Sequence, residues 1–166
     1  MFQKNKGFTL IELLVVIAII AVLASIALIS LAPAQKAGRD ARRIADLRQM
    51  QSILQLYYNA CGFYPGAAIS GGTCAGGGIA DDTLVAWVGA GGLGEVLEGS
   101  ALIPAGKTPN DPLAGVDYHY ARGLNGTSYV LQAVLETDNN VFQQDTDGTV
   151  FGVPCDDANR DYCIQF

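Results

Sequence analysis

Between Phe8 and Ala32 the chain reads FTLIELLVVIAIIAVLASIALISLA, with Glu12 its one charged residue. A helix of about 20 apolar residues crosses the ~30 Å hydrocarbon core of a bilayer, so this stretch is long enough to span one. A small soluble domain has no use for an apolar helix of that length, and the stretch is predicted to be membrane-inserted. A secretory signal peptide has a shorter apolar region of about 7–15 residues followed by a small-x-small site. Cleavage after Ala24 or Ala32 would be the mark of that alternative. Glu12 is costly in hydrocarbon, and such a carboxylate normally marks function and requires a cationic partner, the alternative being a protonated carboxyl near the interface.

Helical periodicity continues beyond the apolar run. Ile44, Leu47, Leu54 and Tyr58 recur at helical spacing among Arg43, Asp46, Arg48 and Gln51, which predicts one continuous helix that becomes amphipathic. From Phe8 to about Tyr58 it would run on the order of 75 Å at 1.5 Å per residue, so its first half must find partners outside one small head. Pro33 removes a backbone donor and Gly38 weakens the following turn. A bend or melted turn is expected between them, either as the edge of the membrane segment or as a flexible joint.

The 166 residues leave room for one head domain. The net charge of -6 argues against a nucleic-acid partner, which would require clustered cations. The basic residues gather around the apolar run, with Lys4 and Lys6 before it and Lys36, Arg39, Arg42, Arg43 and Arg48 after it. Counted alone, that distribution places the C-terminus inside. Cys61, Cys74, Cys155 and Cys163 point the other way, toward disulfides in an oxidising compartment. Zinc is the rival use of these thiols, but no CxxC spacing occurs and His119 is the one histidine. Arg39, Arg42 and Arg43 are then expected to meet acidic groups on neighbouring subunits.

The segment Lys6-Gly7-Phe8-Thr9-Leu10-Ile11-Glu12-Leu13 resembles the processing motif of type IV pilins and of the pseudopilins of type II secretion systems. The resemblance implies that a prepilin peptidase cuts after Gly7 and methylates the new amine at Phe8. It also implies that Glu12 pairs with the Phe8 amine of an adjacent subunit during assembly. Asp40 to Pro65 is similar to the end of the long helix and the Tyr-Pro exit of major pseudopilins and related pilins. Leu93 to Glu136, with Leu-Ile-Pro followed by Asn110-Asp111-Pro112, is similar in its order of elements to the pseudopilin group. The loop from Cys155 to Cys163 resembles the C-terminal disulfide loop of many pilins. Closure of the short loop between Cys61 and Cys74 is favoured by chain entropy, although four cysteines allow three connectivities.

The organisation implied is a leader over 1–7, a transmembrane and assembly helix over 8–32, an amphipathic stalk over 33–60 and a disulfide-containing head over 61–166. The fold class expected is α+β, a long N-terminal helix with a small antiparallel sheet packed on its distal half. Within the head, Cys61 to Gly78 reads as a glycine-rich loop. Asp81, Asp82 and Thr83 read as a helix start before Leu84 to Val88, and Leu93 to Glu98 as a second short helix. Tyr118–Ala121 and Ser128–Glu136 form a predicted hairpin around Gly123–Gly126, and Thr149, Phe151 and Val153 one face of a third strand.

Two acidic loops hold Asp138, Asp145 and Asp147, and Asp157, Asn159 and Asp161. Hard cations favour such oxygen donors, so these six residues are candidate calcium ligands. An EF-hand is excluded, because Tyr162 stands where the turn glycine belongs and no later glutamate closes the loop. Pseudopilins resembling this chain hold calcium in C-terminal loops; solvated acidic loops are the alternative. No GxSxG, Walker or HExxH motif is present, and His119 lies in an aromatic run. Asn125-Gly126-Thr127 fits a glycosylation sequon.

The function expected is a non-enzymatic filament subunit. Its partners would be copies of itself, the prepilin peptidase, an inner-membrane assembly platform and, before assembly, the bilayer. It would begin as a single-pass inner-membrane protein and end in an extracytoplasmic filament. A secretion pseudopilin is the neighbouring alternative, and a membrane-tethered binding domain and a secreted enzyme with an uncleaved anchor belong to different classes.

Overall fold

A computed structural model describes residues 7–66, 74, 84–88, 91–138 and 140–166, and the backbone alone at 26–30. Residues 1–6 of the leader, 81–83 of the expected helix start, and 67–73 and 75–78 of the glycine-rich loop lie outside the described residues. The chain divides into two compact units, Met1–Ala37 and Gly38–Phe166.

Helix α1, Leu10–Cys61, contributes to both units and includes Pro33. The helix runs unbroken through Pro33 and Gly38, so the expected melted turn is not found there. Proline removes one amide donor but leaves the flanking ladder in place. In the first unit the described side chains from Phe8 to Leu23 are exposed on every face of the helix.

In the second unit α1 has one buried face. Leu47, Met50, Leu54 and Tyr57, spaced by three or four residues, are fully buried, while Arg48, Gln49 and Ser52 remain exposed. Their core partners include Trp87, Leu93, Leu97, Tyr120, Leu131 and Tyr162. Two tyrosines add polar ties at the edge of this core. The Tyr118 hydroxyl donates to Asp46 on the helix at 2.9 Å, and the Tyr120 hydroxyl donates to the Pro65 carbonyl at 2.7 Å.

The remaining elements are strand β1 (Val85–Ala86), helix α2 (Leu93–Gly99), strands β2 (His119–Arg122), β3 (Tyr129–Val134), β4 (Gly148–Val150), β5 (Val153–Cys155) and β6 (Asp161–Gln165), and 3-10 turns at Asn140–Gln143 and Asp157–Asn159. One antiparallel sheet has the order β1-β2-β3-β6, and β4-β5 form a separate hairpin. The molecule is therefore α+β, with a long N-terminal helix and a small antiparallel sheet.

Two local expectations change. Val85 and Ala86 pair with Tyr120 and His119 as an edge strand rather than starting a helix; the β-branched valine and its neighbours find a sheet edge to bond to. The stretch from Thr149 to Val153 is not one strand. It reverses at Phe151 (φ 49) and Gly152 (φ 78), two consecutive left-handed residues of the kind that close a two-residue hairpin. A bulky residue rarely tolerates positive φ. Phe151 is held there by packing over Gly123, where a Cβ would come within 2.8 Å of its ring. The hairpin thereby covers the outer sheet face, with Val153, Cys155, Ala121, Val130 and Cys163 in a second small core.

The helix face is the hub of the main core, so Leu54→Ala should destabilise the head by about 2–5 kcal/mol through lost burial and a residual cavity. Urea unfolding followed by near-ultraviolet circular dichroism measures the change.

Candidate assembly and processing site

Thr9 and Glu12 open helix α1 as a reciprocal pair. The Glu12 carboxylate accepts the Thr9 backbone N–H at 2.9 Å and the Thr9 hydroxyl at 2.7 Å. The Thr9 hydroxyl oxygen in turn accepts the Glu12 N–H at 3.3 Å, and Leu13 N–H reaches the Thr9 carbonyl at 3.3 Å. This is a capping box, a Thr-x-x-Glu arrangement that satisfies orphan donors at a helix start. The motif is visible in Thr9-Leu10-Ile11-Glu12, although the family resemblance directs Glu12 only to a neighbouring chain. Gly7 and Phe8 precede the cap, and Phe8 is 82% exposed. A Cβ at Gly7 would meet nothing within 4 Å, so no close packing among the described residues requires glycine there. Residues around Glu12 are apolar and exposed, including Leu10, Ile11, Val15 and Val16. Among the residues whose side chains are described, which leave out 26–30 of the apolar run, no helix is long and apolar enough to cross a membrane.

Arg39 and Arg43 do not stand free for neighbours. Arg39 forms two 2.6 Å bonds to Glu136, and Arg43 bonds Asp111 and Asp40. Arg42 lies 3.6 Å from Asp46, one turn away on the same helix. The expectation that all three meet acids of adjacent subunits is corrected for Arg39 and Arg43, whose partners lie in the same chain. Asp111 and Glu136 are 68 and 97 residues distant, too far apart in sequence for helical spacing to reveal them.

Cys61 is joined to Cys74 and Cys155 to Cys163. Cys155 and Cys163 are buried in the small outer core, whereas Cys61 and Cys74 are half-buried. Thiolate attack requires access to the sulfur. Under graded reductant, Cys61–Cys74 should therefore open first, a sequence that differential alkylation with peptide mapping would read directly.

Of the six candidate calcium ligands, Asp145, Asp147 and Asp157 converge, with one oxygen of each within 4.8 Å of the others. Asn159 lines the adjoining cleft of about 400 Å³ with Asp147, Asp156 and Asp157. Asp138 lies elsewhere and accepts from Arg160 at 3.0 Å. Asp161 is buried in β6, where burial raises its carboxyl above the usual range. Asp145 accepts the Cys163 N–H at 3.1 Å through one oxygen. Its other oxygen is buried and, among the described residues, has no hydrogen-bond partner.

Burial, followed by the charges of Asp157 and Asp147, pushes the Asp145 carboxyl upward; burial and then Asp147 and Asp156 do the same at Asp157. Three carboxylates, one of which has an unsatisfied oxygen, fit a divalent cation such as calcium in chemistry. Without a cation, Asp147→Asn should raise the unfolding temperature by relieving repulsion. In millimolar calcium it should lower that temperature relative to wild type by removing a ligand. Melting curves in chelator and in calcium would test that reversal of order.

His119 sits in β2 opposite Gln132, within the sheet rather than in an acidic loop. Asn125 and Thr127 are exposed at the β2–β3 turn, which closes through the Gly126 N–H and the Gly123 carbonyl at 2.9 Å.

Residues 2–28 match the prokaryotic N-terminal methylation motif, the signature of prepilin-type processing in type IV pilins and pseudopilins. No curated protein and no solved structure matches the chain.

Proposed function

We propose that this chain is the structural subunit of a type IV pilus-like filament, cut after Gly7 by a prepilin peptidase, methylated at Phe8 and polymerised through its N-terminal helix. The observation that carries the reading is the methylation motif over residues 2–28, continuous with an apolar run whose one charge is Glu12. In the precursor, Phe8 to Ala32 anchors the chain as a single pass of the inner membrane, with the head of residues 61–166 outside. Assembly on an inner-membrane platform moves the helix out of lipid and against copies of itself, while residues 33–60 serve as stalk. Exposed Leu10, Ile11, Leu13 and Leu14 supply the apolar contacts. No enzymatic step belongs to the chain itself. A major pseudopilin of a type II secretion system is the neighbouring reading, favoured by the order of elements around Asp111-Pro112.

Glu12 has two jobs in this scheme. Within one chain its carboxylate caps the helix with Thr9; on assembly it turns to the Phe8 amine of the next subunit, because a buried charge is tolerated only when paired. Three substitutions separate the jobs. Glu12→Gln retains a capping side chain but loses the charge, Thr9→Ala retains the charge but loses the cap, and Glu12→Ala loses both. Filament yield should fall with both Glu12 variants and hold with Thr9→Ala, while membrane insertion and head protease resistance stay normal in all three. Full yield from Glu12→Gln would make Glu12 a capping residue only. Intact mass should show a mature chain beginning at Phe8 with one added methyl group; a retained Met1 or a cut after Ala24 or Ala32 would remove the filament reading.

A further inference from the structure

Where α1 enters the second unit, three of its residues carry a charged cluster. Arg43 makes a two-bond fork to Asp111, at 2.6 and 2.9 Å, and donates to Asp40 at 2.8 Å and to Glu136 at 3.0 Å. Asp40 accepts the Glu136 N–H, the Thr137 N–H and the Thr137 hydroxyl at 2.9, 2.9 and 2.6 Å. Asp111 also accepts the Leu113 N–H at 2.8 Å, and Glu136 is gripped by Arg39. The side chains of Asp40 and Asp111 are fully buried and that of Arg43 is 1% exposed. The residues preceding this cluster, 31–38, are all exposed and include Pro33 and Gly38.

We propose that this cluster is a stop that confines helix opening to the segment before it. Opening the turns between Pro33 and Gly38 uncovers a stretch whose residues are already exposed, with one amide donor missing at Pro33 and the last turn weakened by Gly38. Opening on through Arg43 would detach Arg39, Asp40 and Arg43 together and strand Asp111 and Glu136 without their cations. Separating a buried ion pair is far more costly than unwinding an exposed turn, because the remaining charge is left desolvated. The cluster is therefore cooperative. It either holds both the Asp111–Leu113 loop and the Glu136–Thr137 turn on the helix, or it holds neither. The Arg39 and Arg43 guanidiniums pull the Glu136 carboxyl down to about 2, so its contribution is present above the ordinary carboxylate range and is lost only as pH falls toward that value. A subunit with such a stop can bend or unwind its helix upstream while the head fold stays intact, whichever filament it serves.

Hydrogen–deuterium exchange of the full-length chain in detergent micelles tests the stop. In wild type, the amides of Ala34–Gly38 should exchange much faster than those of Ala41–Asp46. Asp111→Asn and Glu136→Gln should each speed exchange at Ala41–Asp46 by roughly tenfold or more, the scale of one lost charged hydrogen bond. Amides of Leu47–Tyr57 and of strand β3 should hold their wild-type rates. Should Asp111→Asn fail to fold, the partly exposed Glu136 decides the matter through Glu136→Gln. The proposal is overturned if no step in protection separates Gly38 from Ala41, if exchange at Ala41–Asp46 is unchanged in the folded variants, or if it rises equally in Leu47–Tyr57 and β3.

Discussion

The second unit is organised by one buried face of α1. Leu47, Met50, Leu54 and Tyr57 give the sheet and α2 a surface to pack on, and without it β2 and β3 would be a marginal ribbon with an uncovered apolar side. Almost every other feature of the head secures that contact. Tyr118 ties the sheet to Asp46, Tyr120 ties it to the backbone at Pro65, and the arginine cluster holds two connecting segments to the first turns of the buried stretch. The β4–β5 hairpin then covers the opposite sheet face and is locked there by Cys155–Cys163 and by Phe151 over Gly123.

The same helix carries a contrary chemistry in the first unit, where apolar side chains from Leu10 to Leu23 are exposed on all faces. Exposed apolar surface of this extent marks a membrane or protein contact, and the methylation motif gives that surface a biological setting. Glu12 is the one charge within it. Its bonds to Thr9 show how a lone chain accommodates that carboxylate.

Much of the candidate site was legible because it is local. Gly7, Phe8, Thr9 and Glu12 lie within six consecutive residues, and a capping box is a four-residue pattern. The cysteine loops are short enough that chain entropy favours their closure. The acidic loops were legible only as composition. That Asp145, Asp147 and Asp157 converge while Asp138 turns to Arg160 depends on where the hairpin and the last 3-10 turn are docked. The reversal at Phe151 was hidden for a related reason, since a phenylalanine at positive φ is disfavoured by its own backbone and is held by packing over Gly123.

Sequence alone determined the α+β class, the continuous apolar-then-amphipathic helix, the processing motif and the β2–β3 hairpin, because periodicity, composition and turn residues act over a few neighbouring positions. Tertiary structure decided the partners of the charges. In the sequence Arg39 and Arg43 were expected to meet acids of neighbouring subunits, and only the fold brings Asp111 and Glu136 of the same chain from 68 and 97 residues away to meet them. It also decided that Val85–Ala86 is an edge strand, since a strand that short exists only by bonding to β2. A hydrogen bond or ion pair between distant segments leaves no periodic mark in either, so it becomes visible only when the chain has closed on itself.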